Sequence, residues 1–131
     1  MIQKYNIAVV GATGNVGREI IGILEERDFP IDHLYCLASS KSKGQKINYK
    51  DQEIIVEDLS EFDFSTVNIG LFSPGGSISA KYAPKAASAG CLVIDNTSHF
   101  RMNDNVPLVV PEVNGEVLDE FFEDNNRSNI I

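Results

Sequence analysis

The sequence predicts an α/β fold, a doubly wound, mostly parallel sheet with helices on both faces. Three observations lead there. Short apolar runs rich in β-branched residues alternate with stretches of helical periodicity. The strand-like runs are mainly apolar, as strands covered on both faces are. The first run passes directly into a glycine-rich turn and then a helix, the opening of a βαβ unit with a right-handed crossover.

Taken in order, Tyr5–Val10 (YNIAVV) is a buried strand that ends on glycine. Asn15–Arg27 carries Val16, Ile20, Ile21, Ile23 and Leu24 at helical spacing. Leu34–Ala38 is the next strand. From Gly44 to about Glu57 the pattern is a hairpin, with INYK, turn residues Asp51–Gln52, then EIIVE. Val67–Phe72 (VNIGLF) is another buried strand. Ser77–Ala89 is an Ala-rich helix with a kink expected at Pro84 and a stop at Gly90. Leu92–Ile94 is a strand ending at Asp95. Asn114 can cap a helix that runs to about Glu123, with Glu116 in its first turn. Arg127–Ile131 (RSNII) looks like the first residues of a further strand. A chain that stops there reads as a truncated piece or natural fragment of a longer protein. Its missing remainder would leave a sheet edge and apolar surface uncovered, so self-association is expected.

The chain has 131 residues, the size of one ordinary domain. Its charge is 11 − 19 = −8, which argues against nucleic acid and anionic membrane as partners. No apolar run reaches the roughly 18 residues of a membrane span. The opening MIQKYNIAVV lacks a signal-peptide core with a cleavage site, so a cytoplasmic location is expected. Cys36 and Cys91 lie in apolar runs and read as buried, reduced thiols. With two histidines and no paired Cys/His motif, no metal site is expected.

The strongest local signal is Gly11-Ala-Thr-Gly14-Asn-Val-Gly17 between a strand and a helix. Gly11 allows a sharp turn off the strand, Gly14 removes the Cβ where a pyrophosphate approaches, and Gly17 allows close helix packing. The helix N-terminus then offers free N–H groups to phosphates. A tight turn without a ligand is the plainer reading. NAD sites carry an acid about 20 residues past the loop, at the end of the second strand. That strand ends here in Ala38-Ser-Ser-Lys-Ser-Lys43, hydroxyls and lysines suited to a 2′-phosphate, which favours NADP unless the segment is only a solvated loop. Phe72-Ser73-Pro74-Gly75-Gly76-Ser77 is a second glycine-bearing turn at a strand's C-terminal end, where ligands bind in open α/β sheets or where a helix simply begins.

Several residues resemble catalytic groups without supporting that role. Tyr82 and Lys85 are one residue too close for a Tyr-x-x-x-Lys dyad, and Lys81 and Lys85 fit a solvated helix face. His33 and His99 are isolated, and neither cysteine has a neighbouring base in sequence.

GATGNVG, LASSKSKG, LFSPGGS and the polar stretch Val93–Asn114 occur together and in order, and with them the chain resembles the aspartate-semialdehyde dehydrogenase family. The resemblance implies a Rossmann-type NADP domain, joined in the parent enzyme to a substrate and dimerisation domain. It implies the reductive dephosphorylation of L-aspartyl-4-phosphate to aspartate semialdehyde. There a cysteine attacks the acyl carbon, the thioester accepts hydride from NADPH, and a histidine serves as acid/base. By the same resemblance Thr13, Gly14, Asn15 and Val16 line the cofactor phosphates. Ser39, Lys41 and Ser42 meet the 2′-phosphate. Ser73, Gly75 and Gly76 border the nicotinamide half, with Asn96 nearby. Arg101 binds the phosphoryl group or inorganic phosphate, for which an arginine fork is chemically apt; a surface ion pair with Asp104 is its plainer role. The nucleophilic cysteine is expected beyond Ile131, so residues 1–131 form an incomplete NADP-binding domain without its catalytic centre. An N-acetyl-glutamyl-phosphate reductase-like domain and a non-catalytic NADP-sensing module are the alternatives.

Overall fold

Tyr5–Val10 (β1) divides its side chains between two cores, because successive residues of a strand point to opposite faces. Ile7 and Val9 join Ile21, Leu34, Cys36 and Ile47 on one face, while Ala8 and Val10 join Leu37, Phe72, Ala83 and Val93 on the other. The computed structural model describes residues 3–124 and 127–131. After β1 come Asn15–Glu26 (α1), Ile31–Ala38 (β2), Lys46–Tyr49 (β3), Gln52–Ile55 (β4) and Glu57–Asp58 (β5). Ile69–Phe72 (β6), Gly76–Ser88 (α2), Leu92–Asp95 (β7), Pro111–Asn114 (α3) and Val117–Glu123 (α4) follow.

The main sheet has the order β5-β2-β1-β6-β7, and all its pairings are parallel. α1 and the β3–β4 hairpin cover one face, through Ile21, Ile47 and Tyr49. α2 covers the other through Ala83, Ala86 and Ala87, whose small side chains let the helix lie close to the sheet. On that second face Tyr35, Phe62, Phe64 and Phe72 form a chain of ring contacts with centroids 5.0 to 6.0 Å apart. The expected doubly wound architecture is therefore the one observed.

Several boundaries differ from the sequence reading. β2 begins at Ile31 rather than Leu34, because its first residues extend alongside β1. The hairpin turns on Lys50–Asp51, since Gln52 already pairs with Tyr49; Lys50 takes the positive φ of 52° that the turn requires. Glu57–Asp58 leaves the hairpin and joins the main sheet beside Leu37 and Ala38. Asn114 does not start a helix. It closes α3, and its side chain accepts from the Val110 amide at 2.8 Å and donates to the Leu108 carbonyl at 2.8 Å. Helix α2 runs on through Pro84. The strand expected at Arg127–Ile131 begins at Ile130, which bridges Val93 in parallel, with the Ile131 amide donating to the Val93 carbonyl at 2.8 Å. Met102, Leu108, Val113 and Phe122 are exposed apolar side chains on the stretch after β7.

Candidate functional site

β1 pairs with β2 on one side and β6 on the other, and the chain leaves β1 for α1 on one face and β6 for α2 on the opposite face. The winding direction reverses between these strands, and a crevice opens at their C-terminal ends. The cleft there holds about 430 Å³. Gly11, Thr13 and Gly14 form one wall, Ala38, Ser39 and Ser40 a second, Asp58, Leu59 and Ser60 a third, and Ser73, Pro74, Ile78 and Tyr82 close the α2 side.

The glycine turn is built by close approaches that a side chain would block. Gly11 has φ 85°, and a Cβ there would lie 2.7 Å from the Ser73 carbonyl oxygen. Its amide and that of Ala12 both donate to the Leu37 carbonyl, at 2.9 and 3.1 Å, which ties the turn to β2. A Cβ at Gly17 would stand 2.1 Å from the Gly11 carbonyl oxygen. Gly17 thus lets α1 pack on the turn itself, a closer partner than the sheet expected from sequence. Gly14 is different, because a Cβ there meets only the Gly11 oxygen at 3.5 Å, so its outer side stands open. It occupies the N-cap of α1 and supplies no side-chain acceptor to the first turn, which also has no acidic residue. Exposed amides and the positive end of the helix dipole therefore face the cleft mouth, an arrangement that fits a pyrophosphate. Asn15 and Val16 form that first turn and are exposed.

At the end of β2, Ser40–Ser42 makes a single 3₁₀ turn. The Ser42 hydroxyl lies 3.5 Å from that of Thr13, so the turn and the glycine loop touch. Lys43 is occupied by Glu61 at 3.2 Å, while Lys41 is exposed and forms no ion pair among the described residues. Asp58 brings an acid to this wall that the sequence reading missed, since it arrives from β5 rather than β2. Its carboxylate accepts from the Ser60 amide at 2.9 Å and hydroxyl at 2.8 Å, capping a short 3₁₀ helix. Those two donors hold its carboxyl below the usual range, so it is ionised at neutral pH.

On the other side, Gly75 takes φ 94° at the N-cap of α2, with Gly76 next to it. The Asn96 amide donates to the Phe72 carbonyl at 2.8 Å, and Asn96 lines a second cleft of about 420 Å³ with Asp95, Thr97, Arg101 and Ile131. Arg101 is exposed there. Asp95 joins the two regions. It accepts from the fully buried Ser79 hydroxyl on α2 at 3.1 Å and from the Thr97 amide at 2.9 Å. Its Oδ2 is buried and accepts no hydrogen bond among the described residues.

The other candidates stay outside this arrangement. Burial pushes both thiols, Cys36 and Cys91, up to about 12, as inert core cysteines. Lys81 and Lys85 are exposed and flank the Tyr82 ring at 5.3 and 5.2 Å, while that ring forms part of the cleft wall. Among the described residues no group of three His, Cys, Asp or Glu side chains is placed to hold a metal ion. No helix among them is long and apolar enough to cross a membrane.

Parallel sheet, glycine turn and switch-point cleft together define a Rossmann-type dinucleotide-binding domain. Residues 6–121 match the sequence profile of the family described as "Semialdehyde dehydrogenase, NAD binding domain", and the chain belongs to that family. It is 58% identical over 111 residues to an aspartate-semialdehyde dehydrogenase of Legionella pneumophila, covering 85% of this chain and 32% of the relative. It is 52% identical over 121 residues to aspartate-semialdehyde dehydrogenase 2 of Vibrio cholerae, covering 92% of this chain and 36% of that enzyme. The chain thus spans about a third of the length of these relatives. Among solved structures, aspartate semialdehyde dehydrogenase II of Vibrio cholerae in complex with ASA superimposes with a TM-score of 0.92 at 50% identity, covering 98% of this chain and 41% of that one. The enzyme of Candida albicans with NADP, 24% identical and with a TM-score of 0.80, shares the fold.

Proposed function

We propose that this chain is the NADP-binding part of an aspartate-semialdehyde dehydrogenase. The observation that carries this is the cleft at the switch point, where Gly11 lets the turn close against Ser73 and Gly14 leaves the head of α1 open to a pyrophosphate. The parent enzyme reductively dephosphorylates L-aspartyl-4-phosphate in the biosynthesis of lysine, threonine, methionine and diaminopimelate. It works in the cytoplasm as a homodimer on a small-molecule substrate, without nucleic-acid or membrane partners.

Within this chain, Thr13, Gly14, Asn15 and Val16 hold the cofactor phosphates. Ser39, Lys41 and Ser42 grip a 2′-phosphate, and the unpaired state of Lys41 supports NADP over NAD. Ser73, Gly75 and Gly76 border the nicotinamide half, with Asn96 behind them. When bound, the nicotinamide supplies the hydride. Arg101 holds the phosphoryl group in the second cleft, where Asp95 fixes its loop. The nucleophilic cysteine belongs to the remainder of the parent enzyme, so this chain binds NADP(H) without turning over.

The test is a thermal-shift titration with NADP and, in parallel, NAD. A ligand at 100 times its Kd adds about 2.7 kcal/mol, several degrees for a domain of this size. The expected result is a larger shift with NADP, reduced by Lys41→Gln to the NAD level. A preference for NAD refutes the 2′-phosphate assignment. No shift with either, in a chain that melts cooperatively by circular dichroism, refutes the dinucleotide site.

A further inference from the structure

We propose that Arg18 contacts the pyrophosphate of the bound dinucleotide from the helix side of the glycine turn, and so strengthens binding whether or not the cofactor carries a 2′-phosphate. This rests on the dinucleotide reading above.

Arg18 is the fourth residue of α1, counted from Asn15. Helical side chains lean toward the N-terminus, and this one reaches back far enough for its Nε to donate to the Thr13 carbonyl at 3.2 Å. That bond lays the guanidinium along the turn, next to Thr13, which lines the cleft, and to Gly14, whose outer side is open. It uses one donor and leaves the fork of terminal nitrogens without a protein partner among the described residues. Among the described residues no carboxylate pairs with it, although the chain carries 19 acidic residues against 11 basic ones. From Gly11 to Arg18 it is the only charged side chain. An arginine held by Nε with its fork free presents the geometry that phosphate oxygens accept in pairs. The helix end contributes a partial charge of about half a unit; Arg18 adds a whole one within a residue or two of the same place.

The rival role is a staple, in which the Nε bond only stiffens the turn. Calorimetric titration separates the two, using this chain and its Arg18→Gln and Arg18→Lys variants. The ligands are NADP, NAD and adenosine 2′-monophosphate, which lacks the pyrophosphate. Arg18→Gln is expected to weaken NADP and NAD by a similar factor, about five- to tenfold. It should leave adenosine 2′-monophosphate unchanged and flatten the salt dependence of NADP binding. Arg18→Lys, which keeps the charge without the fork, should fall between. Unchanged affinities overturn the proposal. So does a loss confined to NADP, which would put the contact at the 2′-phosphate. Equal weakening of all three ligands with a lower melting temperature of the free protein identifies a staple. Failure of the unaltered chain to bind any of them overturns the dinucleotide reading itself, and Arg18 with it.

Discussion

Two glycines of α1, five residues apart, should respond to the same substitution with opposite signs. Gly22 is exposed in the helix interior and a Cβ there meets nothing within 4 Å. Gly22→Ala should therefore collect the helix-propensity difference of about 1 kcal/mol. Gly17→Ala gains the same amount, but its Cβ must enter a space 2.1 Å from the Gly11 carbonyl oxygen and 2.8 Å from its carbon. Ordinary carbon contacts lie near 3.5 Å or beyond. The neighbour is backbone, anchored through the Gly11 amide to Leu37, and no rotamer relieves the contact. Overpacking in a tight site costs about 1 to 3 kcal/mol, and an immovable carbonyl belongs at the upper end. The net expectation is a loss of about 2 kcal/mol for Gly17→Ala against a gain of about 1 kcal/mol for Gly22→Ala. At about 4 °C per kcal/mol, the variants should melt roughly 12 °C apart. Urea unfolding monitored by circular dichroism gives both values in one assay. Gly17→Ala should also lose dinucleotide affinity, because the turn must shift to admit the methyl. If both variants melt alike, the packing of α1 on its own turn is not what holds this corner together.

Other consequences are equally direct. Asp58 is 9% exposed and its carboxyl is held low by the two Ser60 donors. Its stabilisation should be present above its unfolded pKa, near 4, and be lost as pH falls through the lower folded value. Asp58→Asn should be less stable than the unaltered chain at pH 7, a difference that narrows as pH falls through that folded value; a constant gap across pH would exclude the linkage. Ser79→Ala removes one of the two donors on Asp95 Oδ1 and should cost about 1 to 2 kcal/mol in urea unfolding; no change would show that the buried pair carries no stability. Cys36 and Cys91 are fully buried, with thiols near 12, so iodoacetamide at pH 8 should label them only after unfolding. Rapid labelling of the native protein would contradict their placement.

The sequence disclosed what is local and periodic. β1, the glycine turn and α1 could be read directly, because a strand, three glycines and an amphipathic helix follow one another within residues 5–26. Elements set by tertiary pairing were hidden. β5 has two residues and no pattern of its own, and only its register beside Leu37 and Ala38 makes it a strand and brings Asp58 to the cleft. Lys50 sits at positive φ with none of the usual turn chemistry, which displaced the expected hairpin turn by one residue. Asn114 has the composition of an N-cap, yet its amide serves Leu108 and Val110 behind it. Tyr82 has the sequence look of a dyad one residue short, whereas in the fold it lines the cleft. A cleft at the strand ends was foreseeable because open sheets bind ligands there. Asp95 and Ser79, which join two elements through a part-buried bond, had no sequence signature.

The position of β1 at the middle of its sheet also governs how this chain reaches its folded state. Asn6 is bonded to Asn68 across 62 residues, and β1 pairs with both β2 and β6. Each pairing closes a long loop before its contacts are gained, which makes the search slow and leaves strands unprotected meanwhile. The walls of the cleft come from chain positions 11, 39, 58 and 73, so no early intermediate with only one pairing possesses it. A molecule that fits the cleft therefore meets only chains that have finished assembling. During refolding, its capture would date the last step of sheet closure, and its presence would withdraw completed chains from the pool exposed to aggregation and proteolysis.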